Sequence, residues 1–364
     1  MTYSYQGNSY SISRYPKSDN KSLKAWSAAD EHLLKYLSES TKDWQKPILY
    51  NDRFGFLSIF LSQHQTSVVV NFKSQEKALE TNLKDNGLEA NVVHRINPLD
   101  NQSNAHDLAL IKVPKSLELF KSQLSQAHEL LNDDGEIICA FMTKYFSPKI
   151  INIAKEYFEE CHQSKAWKKS RLLVLKKKKK SPEKSEINTI NFDGVKEFKQ
   201  HPGVFSGKNI DYATQFLIEH LEVKATDNKI LDLASGNGVL AHVALSKNPN
   251  AEVSLLDDSL LAIESSKMNL KSPNASFYFN DNLDNFENNT FDLVISNPPF
   301  HFDHETNIEI ALSLFIDVKR CLKKGGVFQL VTSNHLNLKT HLYKLFHKVK
   351  IVAKNDKFVV YLCE

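Results

Sequence analysis

The run Asn297, Pro298, Pro299 and Phe300 directly follows the apolar stretch 293–296 and carries the clearest chemistry in the chain. Two consecutive prolines stiffen a turn and donate no backbone hydrogen bond, so the Pro298 carbonyl is held toward a site. Together with the Asn297 side-chain oxygen it can accept both hydrogens of an –NH2 group. That leaves the nitrogen lone pair free to face an electrophilic carbon, while Phe300, flanked by Pro299 and His301, can stack on the planar ring that bears the amine. An amine conjugated to such a ring is a poor nucleophile. Holding it about 3 Å from the carbon, in line with the breaking bond, is therefore the main source of rate. The two carbonyl acceptors stabilise positive charge as it develops on nitrogen. Asn297, Pro298 and Phe300 are the catalytic candidates, and Pro299, Phe300 and His301 the substrate-binding ones. The competing readings are a rigid strand exit for the prolines and a plain loop end for His301.

A second segment, Asp232, Leu233, Ala234, Ser235, Gly236, Asn237 and Gly238, reads as a strand running into a Gly-x-Gly turn before an Ala- and Leu-rich helix. Such a turn presents backbone N–H groups and a helix N-terminus to a ligand. A dinucleotide site would continue to a third glycine, whereas Leu240 and Ala241 follow here. About 20 residues past the turn, Asp257 stands where a carboxylate accepts ribose hydroxyls. Asp258 is the alternative ligand, and Asp258 or Ser259 the helix cap. Asp281, after the apolar run 277–279, offers an acidic group to an adenine edge, although a plain turn fits that loop equally well. Asp232, Ala234, Gly236, Gly238, Asp257, Asp281 and Asn297 are thus the cofactor-binding candidates.

These residues must be positioned by strands. Short apolar, β-branched runs at 67–72, 107–113, 136–141, 229–233, 252–257, 291–296 and 327–332 alternate with amphipathic segments, the rhythm of α/β parallel-sheet domains. The two halves also match in order. A helix ending Asn82, Leu83, Lys84 parallels one ending Asn269, Leu270, Lys271, and Asp107, Leu108 parallel Asp292, Leu293. A duplicated domain is expected. The copies differ chemically: Asn51, Asp52, Arg53, Phe54, Gly55, Phe56 and Leu57 stand against the Gly turn, and Lys112, Val113, Pro114 and Lys115 against Asn297 to Phe300. The first copy is expected to lack a cofactor and to be catalytically silent. Lys176 to Lys180 and the polar residues after them read as a solvated linker or as a nonspecific phosphate contact. The expected division is residues 1–175, a linker at 176–200, and a catalytic domain at 201–364.

With 364 residues, 41% hydrophobic and 24% charged, the chain has the composition of a soluble two-domain protein. No apolar stretch approaches the roughly 20 residues that span a bilayer. Met1 to Tyr10 lacks the regions of a signal peptide, so a cytoplasmic location is expected. Cys139, Cys161, Cys321 and Cys363 have neither the spacing nor the histidine neighbours of a metal site, and reduced thiols are expected. A net charge of +3 neither requires nor excludes a nucleic-acid partner.

The segment His201, Pro202, Gly203, Val204, Phe205, Ser206, with Ile210 and Asp211, the Gly turn, and Asn297 to Phe300 with His301 together resemble the bacterial ribosomal RNA guanine-N2 methyltransferases with a duplicated domain. The N-terminal half resembles them through Arg14, Tyr15, Pro16, the stretch 23–31, and 51–55. The branch acting on large-subunit 23S rRNA is the closer match, through 166–172 and 356–360, and the small-subunit 16S branch is next. The resemblance implies two tandem Rossmann-like class I methyltransferase domains with mostly parallel seven-stranded sheets, the N-terminal copy degenerate. It also implies S-adenosylmethionine as cofactor, ribosomal RNA as partner, a monomer without metal, and an RNA-holding role for the first domain. Phe205 becomes a lid over the cofactor, or alternatively a hydrophobic staple for the helix that Asp211 caps. Two departures stand out: Ala234 replaces the first glycine of the family's trio, and Ser333, Asn334, His335, Leu336 lacks an arginine the family carries. Adenine N6 or a protein glutamine amide are rival acceptors, and a noncatalytic RNA-binding ribosome-assembly factor is the rival class.

Overall fold

In the computed structural model the chain is described except at residues 19, 21, 101–105, 181, 183–185, 193–195, 208, 299–300, 303–304 and 307. The side chains at 196, 301, 302, 305 and 306 also lie outside the description. The chain divides into two units, Met1–Glu186 and Ile187–Glu364.

The first unit begins with a hairpin, Thr2–Tyr5 and Asn8–Ser11, then the helix Ala28–Glu39. Its sheet strands are β1 (Pro47–Tyr50), β2 (Ser67–Val69), β3 (His94–Ile96), β4 (His106–Lys112), β5 (Leu131–Met142), β6 (Phe158–Gln163) and β7 (Ser170–Lys178), in the order β3-β2-β1-β4-β5-β7-β6. The second unit begins alike, with a hairpin at Asn188–Phe192 and Lys196–Gln200 and the helix Tyr212–Glu219. Its strands are β8 (Lys229–Leu233), β9 (Glu252–Asp257), β10 (Ala275–Phe279), β11 (Phe291–Ser296), β12 (Leu322–Ser333), β13 (Val349–Lys354) and β14 (Phe358–Cys363), ordered β10-β9-β8-β11-β12-β14-β13. Order and direction repeat: neighbours pair in parallel until β7 and β14, which run antiparallel to both partners. The duplicated α/β fold expected from the sequence is present.

Both faces of the second sheet are buried. Ile230, Leu293, Ile295, Val327 and Val331 pack into one core, while Leu231, Leu233, Val294, Phe328 and Leu330 pack into the other. Each Leu, Ile or Val so enclosed contributes about 1.5–3 kcal/mol. Burial on both sides is why these strands read as continuous apolar runs.

An asparagine clamp recurs in both units. Asn82 Nδ2 donates to the Ser13 and Phe54 carbonyls, each at 2.8 Å, and its Oδ1 accepts the Ser13 N–H at 2.8 Å. Asn269 Nδ2 likewise donates to the Lys199 and Asn237 carbonyls, and its Oδ1 accepts the Lys199 N–H. Each clamp fastens the chain at or just after the hairpin to the turn that follows the first sheet strand.

The lysine run does not form the expected linker. Lys176, Lys177 and Lys178 belong to β7, an interior strand, where Lys176 Nζ meets Glu136 Oε1 at 3.0 Å, Lys177 pairs with Glu160, and Lys178 Nζ donates to the Leu131 carbonyl. Lys179 Nζ donates to the Lys155 carbonyl. Carboxylates on the flanking strands partner Lys176 and Lys177, while the side chains of Lys177 and Lys179 stay exposed to solvent. Within the expected linker the hairpin from Asn188 also forms, as the first element of the second unit.

Candidate active site

Strand β8 lies between β9 and β11, where the connections leave the sheet in opposite directions, and open α/β sheets bind ligands outside the strand carboxyl ends at such a point. Register sets the row of groups found there. Leu233 is paired with Leu256 on one side and Ser296 on the other, and Asp257 with Phe279. The Ser296 hydroxyl donates to the Leu233 carbonyl at 2.7 Å. Asp281, Asp257, the Gly turn and Asn297 therefore leave adjacent strand ends, with neighbouring strands about 4.8 Å apart.

The turn is built from left-handed residues: Ala234 at φ 58°, Gly236 at 56° and Gly238 at 82°. Gly238 caps the helix Val239–Lys247, and a Cβ there would meet Ser266 Oγ at 3.1 Å and Leu255 Cδ2 at 3.3 Å. A Cβ on Gly236 would meet nothing within 4 Å. Ala234 tolerates the left-handed region at a cost of about 1–2 kcal/mol.

Asp232 is fully buried, and its Oδ2 accepts the Ala241 N–H at 2.9 Å. Burial pushes its carboxyl well up from the usual range. Asp257 braces the turn: Oδ2 accepts the Gly236 N–H at 2.9 Å and Oδ1 the Ser259 N–H at 2.8 Å. Burial raises its pKa to about 6, against the opposing pull of those two N–H groups. Ser259 is the helix cap, its hydroxyl accepting the Ala262 N–H. Asp281 follows β10 in an Asn-stapled turn, in which Asn280 N–H donates to the Asp257 carbonyl and the Asp281 N–H to Asn280 Oδ1. Asp232 Oδ1 and Ser235 Oγ are buried without a hydrogen-bond partner. The unpartnered Ser235 hydroxyl and the room over Gly236 fit a ligand rich in amine and hydroxyl groups, whereas Asp232 is enclosed behind the turn.

Asn297 stands at the end of β11, with Pro298 buried behind it. Its Nδ2 donates to Asp211 Oδ2 at 3.2 Å and Thr214 Oγ1 at 2.9 Å. An ionised carboxylate only accepts, so the amide nitrogen must face Asp211 and Oδ1 remains the group it can offer a substrate. Asp211 also caps the helix Tyr212–Glu219, accepting the Ala213 and Thr214 N–H groups. Pro299 and Phe300 lie outside the described residues, as does the side chain of His301, whose backbone pairs in a short hairpin, His301–Phe302 with Glu305–Thr306.

Phe205 is 69% exposed, so the staple alternative does not hold: a staple packs against its helix. Its segment is tied to the turn through Gln200, fully buried, whose Nε2 donates to the Val204 carbonyl and whose Oε1 accepts Asn237 Nδ2 at 2.8 Å. Gln200, Thr214 and the contact of Asp211 with Asn297 escape sequence reasoning, since only the fold brings them together. Asn269 alone left a signal, in the paired Asn82 and Asn269.

The first unit shows how its copy differs. Tyr50 pairs with Ile111 as Leu233 does with Ser296, which places Asn51 at Ala234 and Lys112 at Asn297. Asn51 at φ 60° and Gly55 at 74° match Ala234 and Gly238, so the turns superpose two residues away from the alignment read from the sequence. The helix-capping glycine survives as Gly55, and the position of Gly236 holds Arg53, whose guanidinium lies 4.6 Å over the Phe72 ring. Lys112 Nζ meets Asp30 Oδ1, a buried carboxylate, at 2.9 Å. Among the described residues no cluster of His, Cys, Asp or Glu could hold a metal, and no helix is long and apolar enough to cross a membrane.

Residues 1–181 match the family described as RLMG N-terminal domain, and 196–362 that described as Methyltransferase small domain. The ribosomal RNA large subunit methyltransferase G of Vibrio vulnificus is 34% identical over 361 residues, covering 95% of each chain. That of Pseudoalteromonas translucida is 33% identical over 365 residues, covering 96% of this chain and 94% of the relative. The fold is shared with the T. thermophilus 16S rRNA N2 methyltransferase solved with AdoMet and guanosine, at TM-score 0.79 and 21% identity, covering 100% of this chain and 97% of that one. With relatives of that identity aligned through both units, the chain belongs to the ribosomal RNA large subunit methyltransferase G family.

Proposed function

We propose that the chain transfers a methyl group from S-adenosylmethionine to the exocyclic N2 amine of one guanine in 23S ribosomal RNA. The observation that carries this reading is the Asn297 amide, whose nitrogen is held by Asp211 and Thr214 so that its oxygen is left to accept from an amine beside the Gly turn. The bound cofactor supplies an electrophilic methyl carbon on a good leaving group. The turn at Ala234, Gly236 and Gly238 holds the methionine end, Asp257 the ribose, Asp281 the adenine edge, and Phe205 covers them. Asp232 is too buried to be reached directly and acts by anchoring the turn and helix. Asn297 Oδ1 and the Pro298 carbonyl hold the two amine hydrogens; Pro299, Phe300 and His301 are assigned to the guanine by the sequence motif alone. As the amine takes the methyl carbon and the cofactor leaves as the neutral thioether, Asn297 Oδ1 and the Pro298 carbonyl would steady the positive charge developing on the nitrogen, whose proton would then pass to water.

In this reading the first unit takes no cofactor, because Arg53 and Lys112 replace Gly236 and Asn297, and it holds rRNA. The exposed turn with Lys168 and Lys169 suits phosphate contact, with Lys168 also paired at 2.7 Å to the largely enclosed Glu31. Of the lysine run, Lys176 and Lys178 are engaged within the unit, whereas Lys177 and Lys179 remain exposed beside their partners and can reach a phosphate as Lys168 does. The chain acts as a monomer in the cytoplasm.

The deciding experiment maps N2-methylguanine in rRNA from a strain lacking the gene. One 23S guanine should lose its methyl group and regain it on complementation; loss in 16S rRNA, or methyl label in adenosine or protein, rejects the assignment. The pKa of Asp257 adds a second expectation. The carboxyl is raised to about 6, so any stability its proton provides to the free protein is present below pH 4 and lost as pH rises through 6. Ribose hydroxyls are held more strongly by the ionised carboxylate than by the neutral acid, so the sign for binding is opposite. Calorimetry should show S-adenosylmethionine affinity about tenfold weaker at pH 5 than at pH 7.5, and Asp257→Asn should weaken binding and flatten that dependence. Equal affinity at both pH values in the parent protein would remove Asp257 from the ribose site.

A further inference from the structure

We propose that Asp211 and Thr214 are positioning residues that make Asn297 an acceptor-only group, so that the site selects an –NH2 donor over a ring carbonyl; this rests on the amine-transfer reading above. A carboxamide has two donor hydrogens on one side and an acceptor oxygen on the other, and turned by half a rotation it presents the wrong side to an amine. Here both Nδ2 hydrogens are taken, one by Asp211 Oδ2 at 3.2 Å and one by Thr214 Oγ1 at 2.9 Å. The reversed amide would set Oδ1 against the Asp211 carboxylate oxygen and leave that oxygen without its donor; the Thr214 hydroxyl can donate as well as accept, so the carboxylate fixes the sense of the amide and Thr214 occupies its second hydrogen. A guanine offers O6 as well as N2, and an amide with no hydrogen to spare does not bind O6.

The two anchors are themselves held. Asp211 Oδ2 accepts the Ala213 and Thr214 N–H groups at 3.0 and 3.3 Å, and Thr214 is buried. The amide orientation is thus set by the start of the helix Tyr212–Glu219, 86 residues away in sequence. The Asp211 charge also polarises the amide, strengthening Oδ1 as an acceptor just as the substrate nitrogen becomes cationic. The first unit gives an internal contrast. There Asp30, near the start of the corresponding helix, meets Lys112 at the Asn297 position. A carboxylate faces the strand end in both units, but only with asparagine as its partner does an acceptor result.

The test uses the full chain with Thr214→Val, Thr214→Ser, Asp211→Asn and the double variant Asp211→Asn/Thr214→Val. Valine keeps the shape of threonine without the hydroxyl, and asparagine keeps the cap without the charge. Turnover on rRNA lacking the methyl group should fall by on the order of tenfold in Thr214→Val and Asp211→Asn, and about a hundredfold in the double variant. The KM for RNA and the calorimetric Kd for S-adenosylmethionine should stay within about threefold, and Thr214→Ser should recover most of the turnover. Turnover unchanged in the double variant, or lost equally with serine, overturns the proposal, as does a loss of cofactor affinity that matches the loss of turnover. A second measurement needs no activity. The Asn297 side-chain NH2 signals, identified by their disappearance in Asn297→Ala, should exchange with solvent slowly in the parent and at least tenfold faster in the double variant; equal exchange overturns the anchor. If the parent protein methylates no rRNA guanine, the substrate assignment fails while the exchange measurement still decides whether Asp211 and Thr214 hold the amide.

Discussion

Asn297→Ala should lower methyl transfer by about a thousandfold or more while S-adenosylmethionine binds nearly as before. The substitution removes an acceptor that acts at the reacting nitrogen and leaves the Gly turn and Asp257 in place. Removing one preorganised hydrogen-bonding partner of a developing charge commonly costs 10²–10³ in rate, and here orientation of the lone pair is lost as well. The fold should survive, because the Asn297 amide makes its contacts with Asp211 and Thr214 at the site and not in either apolar core. Methyl-label incorporation into rRNA measures the first quantity and calorimetry the second. Turnover within tenfold of the parent would remove Asn297 from the catalytic role, and a parallel loss of cofactor affinity would reassign it to cofactor binding.

Gly238→Val should be nearly as damaging for a different reason. Its φ of 82° is a conformation that a β-branched residue adopts at a cost of about 1–2 kcal/mol or more. Its Cβ would also press on Ser266 Oγ and Leu255 Cδ2 at 3.1 and 3.3 Å. Ser266 is not free to give way, since its hydroxyl donates to the Gly236 carbonyl at 3.0 Å. Strain therefore passes directly into the turn. A loss of about 3 kcal/mol of stability is expected, together with a loss of S-adenosylmethionine binding. Gly236→Ala offers the control: with nothing near its Cβ it should destabilise by only about 1–2 kcal/mol yet still weaken the cofactor, whose space that Cβ enters. Denaturant unfolding and calorimetry separate the two effects. Equal unfolding midpoints for Gly238→Val and the parent would contradict the crowding argument.

Much of this was legible in the sequence wherever local chemistry decides structure. Strands β8, β9 and β11 run over the residues that their β-branched, two-sided apolar pattern indicates. The Gly turn and Asp257 stand where a strand carboxyl end puts them. Strands β1 and β3, four and three residues long, are too short to show a period. Strand β7 was hidden by its lysines, whose counter-charges Glu136 and Glu160 lie on neighbouring strands distant in sequence. The anchoring of Asn297 was invisible for a related reason: Asp211 advertises only a helix cap, and its second task exists once β11 is in the sheet. The offset between the two turns arose because a glycine-for-glycine comparison cannot tell which glycine needs a positive φ.

The asparagine clamp acquires a wider meaning from its occurrence in both units. Asn82 and Asn269 make the same set of bonds although only one of the turns they fasten is assigned a cofactor. Gly55 and Gly238 likewise cap corresponding helices in the same left-handed conformation. Inheritance has thus sorted the ancestral domain into two classes of residue. Those kept in both copies answer to the demands of folding, whereas Gly236, Asp257 and Asn297, present in one copy, answer to the reaction. A single molecule carries its own comparison, and a designer wishing to move the activity to another scaffold could leave the first class alone and transplant the second.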